Sequence, residues 1–130
     1  MYKDKNDFIV YSIPVLEDNI IWIWAEGDEA VVVDPSISQP VMEFLRKRKL
    51  SLKAILQTHH HNDHIGGSVD LLNVWPGAEV IAAKNDLTRI PFQTTPAIHG
   101  NRFNLMGNIV EVIEVPGHTS HHISFFIYDK

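Results

Sequence analysis

Cysteine is absent from all 130 residues. That absence excludes disulfide cross-links, thiolate zinc sites, iron–sulfur clusters and a cysteine nucleophile together. Packing and hydrogen bonds must hold the fold, and the composition suits a reducing, cytoplasmic setting. Long apolar runs are missing too. The longest one near the N-terminus, Ile20 to Ala25 (IIWIWA), is far shorter than the ~20 residues that span a bilayer. Met1 to Asp7 (MYKDKND) is not followed by the apolar stretch of a signal peptide. A soluble protein without a membrane partner is expected. Basic charge is scarce, with 11 Lys and Arg against 16 Asp and Glu, a net charge of -5. Arg46 to Lys49 (RKRK) is the only basic cluster, which weakens the case for a broad nucleic-acid surface, and it reads as a solvated helix end, where cations complement the helix dipole.

What is present is an ordinary globular balance of 45% hydrophobic and 21% charged residues. One domain over residues 1–130 is therefore expected. Phe8 to Ile13, Asn19 to Ala25 and Ala30 to Val33 are rich in β-branched and aromatic residues and predict an antiparallel meander. Trp22 and Trp24 share one face of the second strand and read as core. Ser38 is placed to cap a helix from about Gln39 to Lys49, and Leu52 to Gln57 predicts a buried strand. Strand, helix, strand makes a crossover unit and moves the class to α/β. Ile65 to Trp75, with Val69, Leu72 and Trp75 at helical spacing, predicts a second helix. A short strand is expected over Glu79 to Ala83, then an irregular stretch over Lys84 to Phe103 with a brief helix near Asn85 to Ile90. Strands over Asn108 to Val115 and Ile123 to Tyr128 follow.

All eight histidines fall between His59 and His122. Four potential donors follow the LKAILQ strand directly, in the pattern His59-x-His61-x-Asp63-His64. Residues two apart on an extended segment point the same way, so His59 and His61 can grip one ion while Asp63 and His64, beyond a turn, reach a second. Imidazole and carboxylate donors favour zinc, with iron or manganese possible, over calcium or magnesium. Gly66-Gly67 would let the backbone pass close to an ion. Downstream, Val115 to Thr119 (VPGHT) puts His118 just after a strand, the natural third ligand of the first ion. His122 suits a supporting or packing role, His121 is expected to be solvated, and His99 is a loop histidine. Asp34, ending the third strand before Pro35, either caps a turn or orients the donor loop.

Four segments in this order carry a resemblance: Asp18 to Trp22 (DNIIW), Val33-Asp34-Pro35, Thr58 to Gly67 (THHHNDHIGG) and Pro116 to Thr119 (PGHT). Together they resemble the metallo-β-lactamase superfamily, in its glyoxalase II (hydroxyacylglutathione hydrolase) branch. The resemblance implies an αβ/βα sandwich and two zinc ions, His59, His61 and His118 on the first, Asp63 and His64 on the second. It implies hydrolysis of S-lactoylglutathione to lactate and glutathione by a metal-bound hydroxide that Asp63 helps to orient, with Asp34, Thr58 and His122 around the ligands. Two positions depart from the family pattern: Ile20 stands where the branch has tyrosine, and His121 where it commonly has glycine. The branch's metal-bridging Asp, its last His and its glutathione-binding residues follow the region matched here. The expectation is thus the N-terminal half of the sandwich, truncated, with the substrate-binding residues unknown. A non-catalytic zinc-binding module that self-associates through the uncovered face is the alternative from another class. A lactonase of the same superfamily is a further one.

Overall fold

The computed structural model describes residues 8–15, 19–58, 67–88, 90–114 and 123–128. Three strands open it: β1 (Phe8–Val15), β2 (Asn19–Glu26) and β3 (Glu29–Val33). They pair antiparallel, as the β-branched runs and the Gly27-Asp28 turn predict. Helix α1 (Ser38–Lys47) then carries the chain to β4 (Ser51–Leu56), which lies parallel to β3. Helix α2 (Ser68–Val74) precedes β5 (Glu79–Ala83), again parallel, and β6 (Thr95–Ala97) closes the sheet in the order β1-β2-β3-β4-β5-β6. A second sheet of three antiparallel strands is formed by β7 (Arg102–Leu105), β8 (Asn108–Glu114) and β9 (Ile123–Ile127). No helix among the described residues is long and apolar enough to cross a membrane.

Strand alternation divides the apolar residues between two cores. Ile21, Ile23, Ala30, Val32, Leu52 and Ile55 face the helices and pack with Val41 and Leu45 of α1 and Leu71 of α2. Trp24, Val31, Ala54, Leu56 and Ile81 face the other way, onto Leu105, Val110, Val112 and Ile123 of the second sheet. The order is helices, sheet, sheet. One irregularity lets β4 serve both cores: Ala30 pairs with Leu52 but Val31 with Ala54, so Lys53 is an extra residue in the ladder. A bulge of this kind shifts every later side chain to the opposite face. Lys53 itself points outward and pairs with Glu29 at 3.2 Å.

Several local expectations give way to tertiary contacts. Helix α1 starts at Ser38 and stops at Lys47, with Lys49 in the left-handed region (φ 57°). Ser38 does not cap it: the preceding Ile37 is extended, and the Ser38 hydroxyl donates to Asp70 of α2 at 3.1 Å. Of the expected apolar stripe of α2, Leu72 and Trp75 pack against the helix-side core, while Val69 is exposed and Leu71, not singled out, is the fully buried residue, because the helix begins at Ser68 and its inward face is centred on Leu71. The stretch from Lys84 to Phe103, expected to be irregular with a brief helix near Asn85 to Ile90, holds a 3-10 turn (Lys84–Asp86), β6 and the start of β7 among its described residues. Trp22 is the clearest departure. It is 45% exposed where Trp24 is 3% exposed, because the three-stranded sheet covers Trp24 but does not reach across β2 to Trp22.

Candidate functional site

Strands β3, β4, β5 and β6 are parallel, so their carboxyl ends share one rim, where α/β sheets bind their ligands. Asp34 leaves β3 at this rim in the left-handed region (φ 52°), buried to 8% exposure. Asp tolerates that conformation better than most residues because its short side chain can bond locally. Its own N–H donates to Leu56 O at 2.9 Å. Its carboxylate accepts two bonds from Thr58, from the backbone N–H at 2.8 Å and from the hydroxyl at 2.6 Å. These bonds tie the Asp34 side chain to the residue just beyond β4, while the donor loop that it was expected either to orient or to leave alone as a turn cap lies outside the described residues.

Thr58 is the last described residue before the donor-rich stretch, and Gly67 is the first after it. Both flanks are tied down. Gly67 N–H donates to Pro35 O at 2.7 Å. A Cβ on Gly67 would come within 2.6 Å of Ser38 N and 2.7 Å of Pro35 O. The close approach that requires glycine there is to the backbone around the start of α1. Gln57 and Ser68, the next residues outward, are fully buried and bonded to each other, Gln57 Nε2 to Ser68 Oγ at 2.9 Å. The sequence reading missed this pair. Its signal was a polar Gln57 directly after the apolar Ala54-Ile55-Leu56.

The second donor-bearing stretch is anchored at the same place. Glu114 of β8 pairs with Ile123 of β9, and Ile123 N–H donates to Thr58 O at 2.9 Å. The flanks of residues 59–66 and 115–122 therefore meet at one backbone hydrogen bond. His59, His61, Asp63, His64, His118 and His122, all singled out from sequence, lie outside the described residues, as do His60, Gly66 and His121. Among the described residues no three His, Asp or Glu side chains converge where an ion could be held. His99 is exposed between β6 and β7, and its Nδ1 accepts the Glu114 N–H at 3.0 Å. That bond leaves the proton of neutral imidazole on Nε2.

Two clefts open on either side of the Thr58–Ile123 junction. One, of about 280 Å³, has an apolar wall of Trp22, Trp24, Val33, Leu56 and Phe125, with Thr58 on its lining. The other, of about 240 Å³, lies toward β5 and β6 between Asn85, His99, Glu114 and Ile123.

Comparison with known proteins agrees with this architecture. The chain is 56% identical over 127 residues to a hydroxyacylglutathione hydrolase of Prochlorococcus marinus, a match covering 98% of this chain and 50% of that protein. It is 59% identical over 118 residues to one of a Synechococcus strain, covering 91% and 46%. The chain thus spans about half the length of the curated relatives it matches. Among solved structures, BLEG-1 B3 metallo-beta-lactamase superposes with a TM-score of 0.80 at 18% identity, covering 92% of this chain and 67% of that one. ETHE1 from Myxococcus xanthus superposes with 0.76 at 24% identity, covering 93% and 54%. At such identities the likeness speaks for the fold alone. The family model for the metallo-beta-lactamase superfamily matches residues 13–130. With the two-sheet, one-helix-layer architecture and the tied rim around Thr58, that match places the chain in the metallo-beta-lactamase superfamily.

Proposed function

We propose that this chain is the N-terminal half of a metal-dependent thioester hydrolase of the hydroxyacylglutathione hydrolase type, acting on a glutathione thioester such as S-lactoylglutathione. The observation that carries the reading is the junction at Thr58 and Ile123, which brings the flanks of both donor-rich stretches to the carboxyl-end rim of the sheet. The identity to hydroxyacylglutathione hydrolases supports the substrate class.

In this reading His59, His61 and His118 hold one zinc ion, and Asp63 and His64 a second. The donor set fits: neutral imidazoles and a carboxylate are zinc ligands, and no thiolate is needed. Bound zinc would supply Lewis acidity, lowering the pKa of its water to about 7 and polarising a carbonyl oxygen. The chain's own residues do the positioning. Asp34 holds Thr58 through two bonds and so fixes the direction in which the chain leaves β4 toward His59, while His122 supports the second stretch. Asp63 accepts a hydrogen bond from the attacking water and orients it. The water oxygen bonds to the thioester carbonyl carbon, the C–S bond breaks, and the thiol leaves with a proton, giving lactate and glutathione. A cytoplasmic setting belongs to the same proposal.

Self-association through the uncovered face around Trp22 is also proposed. Val10, Ile20 and Trp22 lie on the β1–β2 face that the second sheet leaves open, each about half exposed.

The test is bound zinc per chain measured together with S-lactoylglutathione hydrolysis, for the wild type and for His59→Ala and His61→Ala. Expected are zinc retained by the wild type and lost in both variants, with any turnover by this half-length chain dependent on zinc. Zinc retained without turnover would refute catalysis by this chain and favour the non-catalytic zinc module. Faster hydrolysis of a lactone than of the thioester would move the substrate class to lactonases.

A further inference from the structure

A third cleft, of about 350 Å³, lies at the opposite end of the six-stranded sheet. Its apolar lining is Ile9, Tyr11, Ala25 and Leu50, and its polar lining includes Lys47 and Arg48. Gly27 and Leu50 stand just before β3 and β4, whose other ends lead to Asp34 and Thr58. Six residues of β4 at ~3.3 Å each put the cleft roughly 20 Å from Thr58.

Arg48 is held rather than free. Its guanidinium carbon sits 4.7 Å from the centroid of the Tyr11 ring and 4.6 Å from that of Phe44. The two rings meet edge to face at 4.8 Å. Such stacking orients the planar fork of donors, which matches carboxylate and phosphate oxygens, and less side-chain freedom remains to be lost on binding. Among the described residues none of Arg46, Lys47, Arg48 and Lys49 forms an ion pair; the pairs found join Lys53 to Glu29 and Arg102 to Glu111. The C-terminus of α1 also faces this end and contributes about half a negative charge, and Asp28 adds one in the adjoining turn. The two cations of the lining, Lys47 and Arg48, outweigh both.

We infer that this cleft binds a small organic anion with a flat aromatic or short acyl body. The charged group lies against Arg48 and Lys47, and the body rests on Ile9, Ala25 and Leu50. A polar floor alone would take a bare anion and an apolar floor alone a neutral ring; the two side by side select a molecule that carries both. Binding here requires neither zinc nor the donor residues proposed above, so this site and the hydrolase reading stand or fall separately.

The experiment is amide chemical-shift titration of the whole 130-residue chain, without metal, using phenyl phosphate and benzoate as probes. Inorganic phosphate supplies charge without a body, and benzyl alcohol a body without charge. At least one aromatic anion is expected to give saturable shifts at Tyr11, Gly27, Arg48 and Leu50, and the stronger of the two identifies the head group. Arg48→Gln should weaken it at least tenfold, and Arg48→Lys should restore only part, because the ammonium lacks the fork. Lys47→Gln, which leaves the stacked Arg48 in place, should weaken binding about threefold; it decides the matter if Arg48→Gln fails to fold. The inference is overturned if neither aromatic anion gives saturable shifts, or if they centre on Trp22 and Phe125. It is equally overturned if inorganic phosphate binds as tightly as phenyl phosphate, or if the folded variants bind like the wild type.

Discussion

Replacing Asp34 tests the carboxyl-end rim most directly. Its carboxylate is buried and accepts the N–H and the hydroxyl of Thr58 at 2.8 and 2.6 Å. Hydrogen bonds to a charged group contribute about 1.5–3 kcal/mol each, so Asp34→Ala removes roughly 4 kcal/mol. A further ~1 kcal/mol comes from holding alanine in the left-handed region that aspartate tolerates. Against a total stability of about 5–15 kcal/mol, that is a large fraction. Asp34→Asn keeps the shape, one acceptor and the tolerance of positive φ, and should cost about 1–2 kcal/mol. Thr58→Val removes only the hydroxyl bond and should cost about 2 kcal/mol. Urea unfolding followed by the fluorescence of buried Trp24 reads all three, and the Asp34→Ala/Thr58→Val double variant closes the cycle. The two losses share one bond, so the double variant should fall short of their sum by about 1–2 kcal/mol. A strictly additive pair, or an Asp34→Ala loss below about 1 kcal/mol, would refute the account of this clamp.

Gly67→Ala should cost about 2 kcal/mol, because the new Cβ meets backbone atoms at 2.6 to 2.7 Å that cannot swing aside; Gly77→Ala, with nothing within 4 Å of its Cβ, should stay within about 0.5 kcal/mol in the same unfolding assay. The Tyr128 phenol should titrate above its ordinary 10.0, chiefly because its hydroxyl bonds to the Glu111 carboxylate; since the protonated form is favoured in the fold, this contribution is present below pH 10 and is lost as pH rises through the raised value, and Glu111→Gln should bring the phenolate absorbance change back down. Trp22→Ser should reduce self-association measured by sedimentation, since covering the exposed part of this ring would bury roughly 100 Å², worth ~2.5 kcal/mol per copy; unchanged association would move the contact elsewhere.

The long strands were legible in the sequence because β-branched and aromatic residues mark them without reference to anything distant. That holds for β1 to β5, β8 and β9. The short ones were not: β6 (TPA) and β7 (RFNL) have three and four residues, too few for a period to appear. Pro96 reads as a breaker until β6 is seen to be the sheet's edge, where a missing donor is tolerated. Trp22 and Trp24 share one face and one chemistry, and only the reach of the second sheet separates the exposed ring from the buried one. Ser38 had the identity of a cap, but its hydroxyl has a partner on another helix. At the rim, Asp34 could be picked out because an Asp-Pro step ends an apolar strand. Its partner Thr58, and the Gln57–Ser68 pair, depend on contacts 24 and 11 residues apart in sequence, which local pattern does not encode.

The extra residue in β4 reaches further than the strand that contains it. Upstream of Lys53 the side chains keep one phase, with Leu52 toward the helices; downstream they keep the other, so that Gln57 turns to Ser68 on α2 and Thr58 turns to Asp34 and to the side of the second sheet. The frame in which the histidine-rich stretch leaves the sheet is therefore set about five residues earlier, by a lysine with no chemistry of its own there. Substituting Lys53 forfeits one exposed ion pair. Deleting it would put the strand back in step and send Thr58 out through the wrong layer, so at this position the count of residues matters more than their identity.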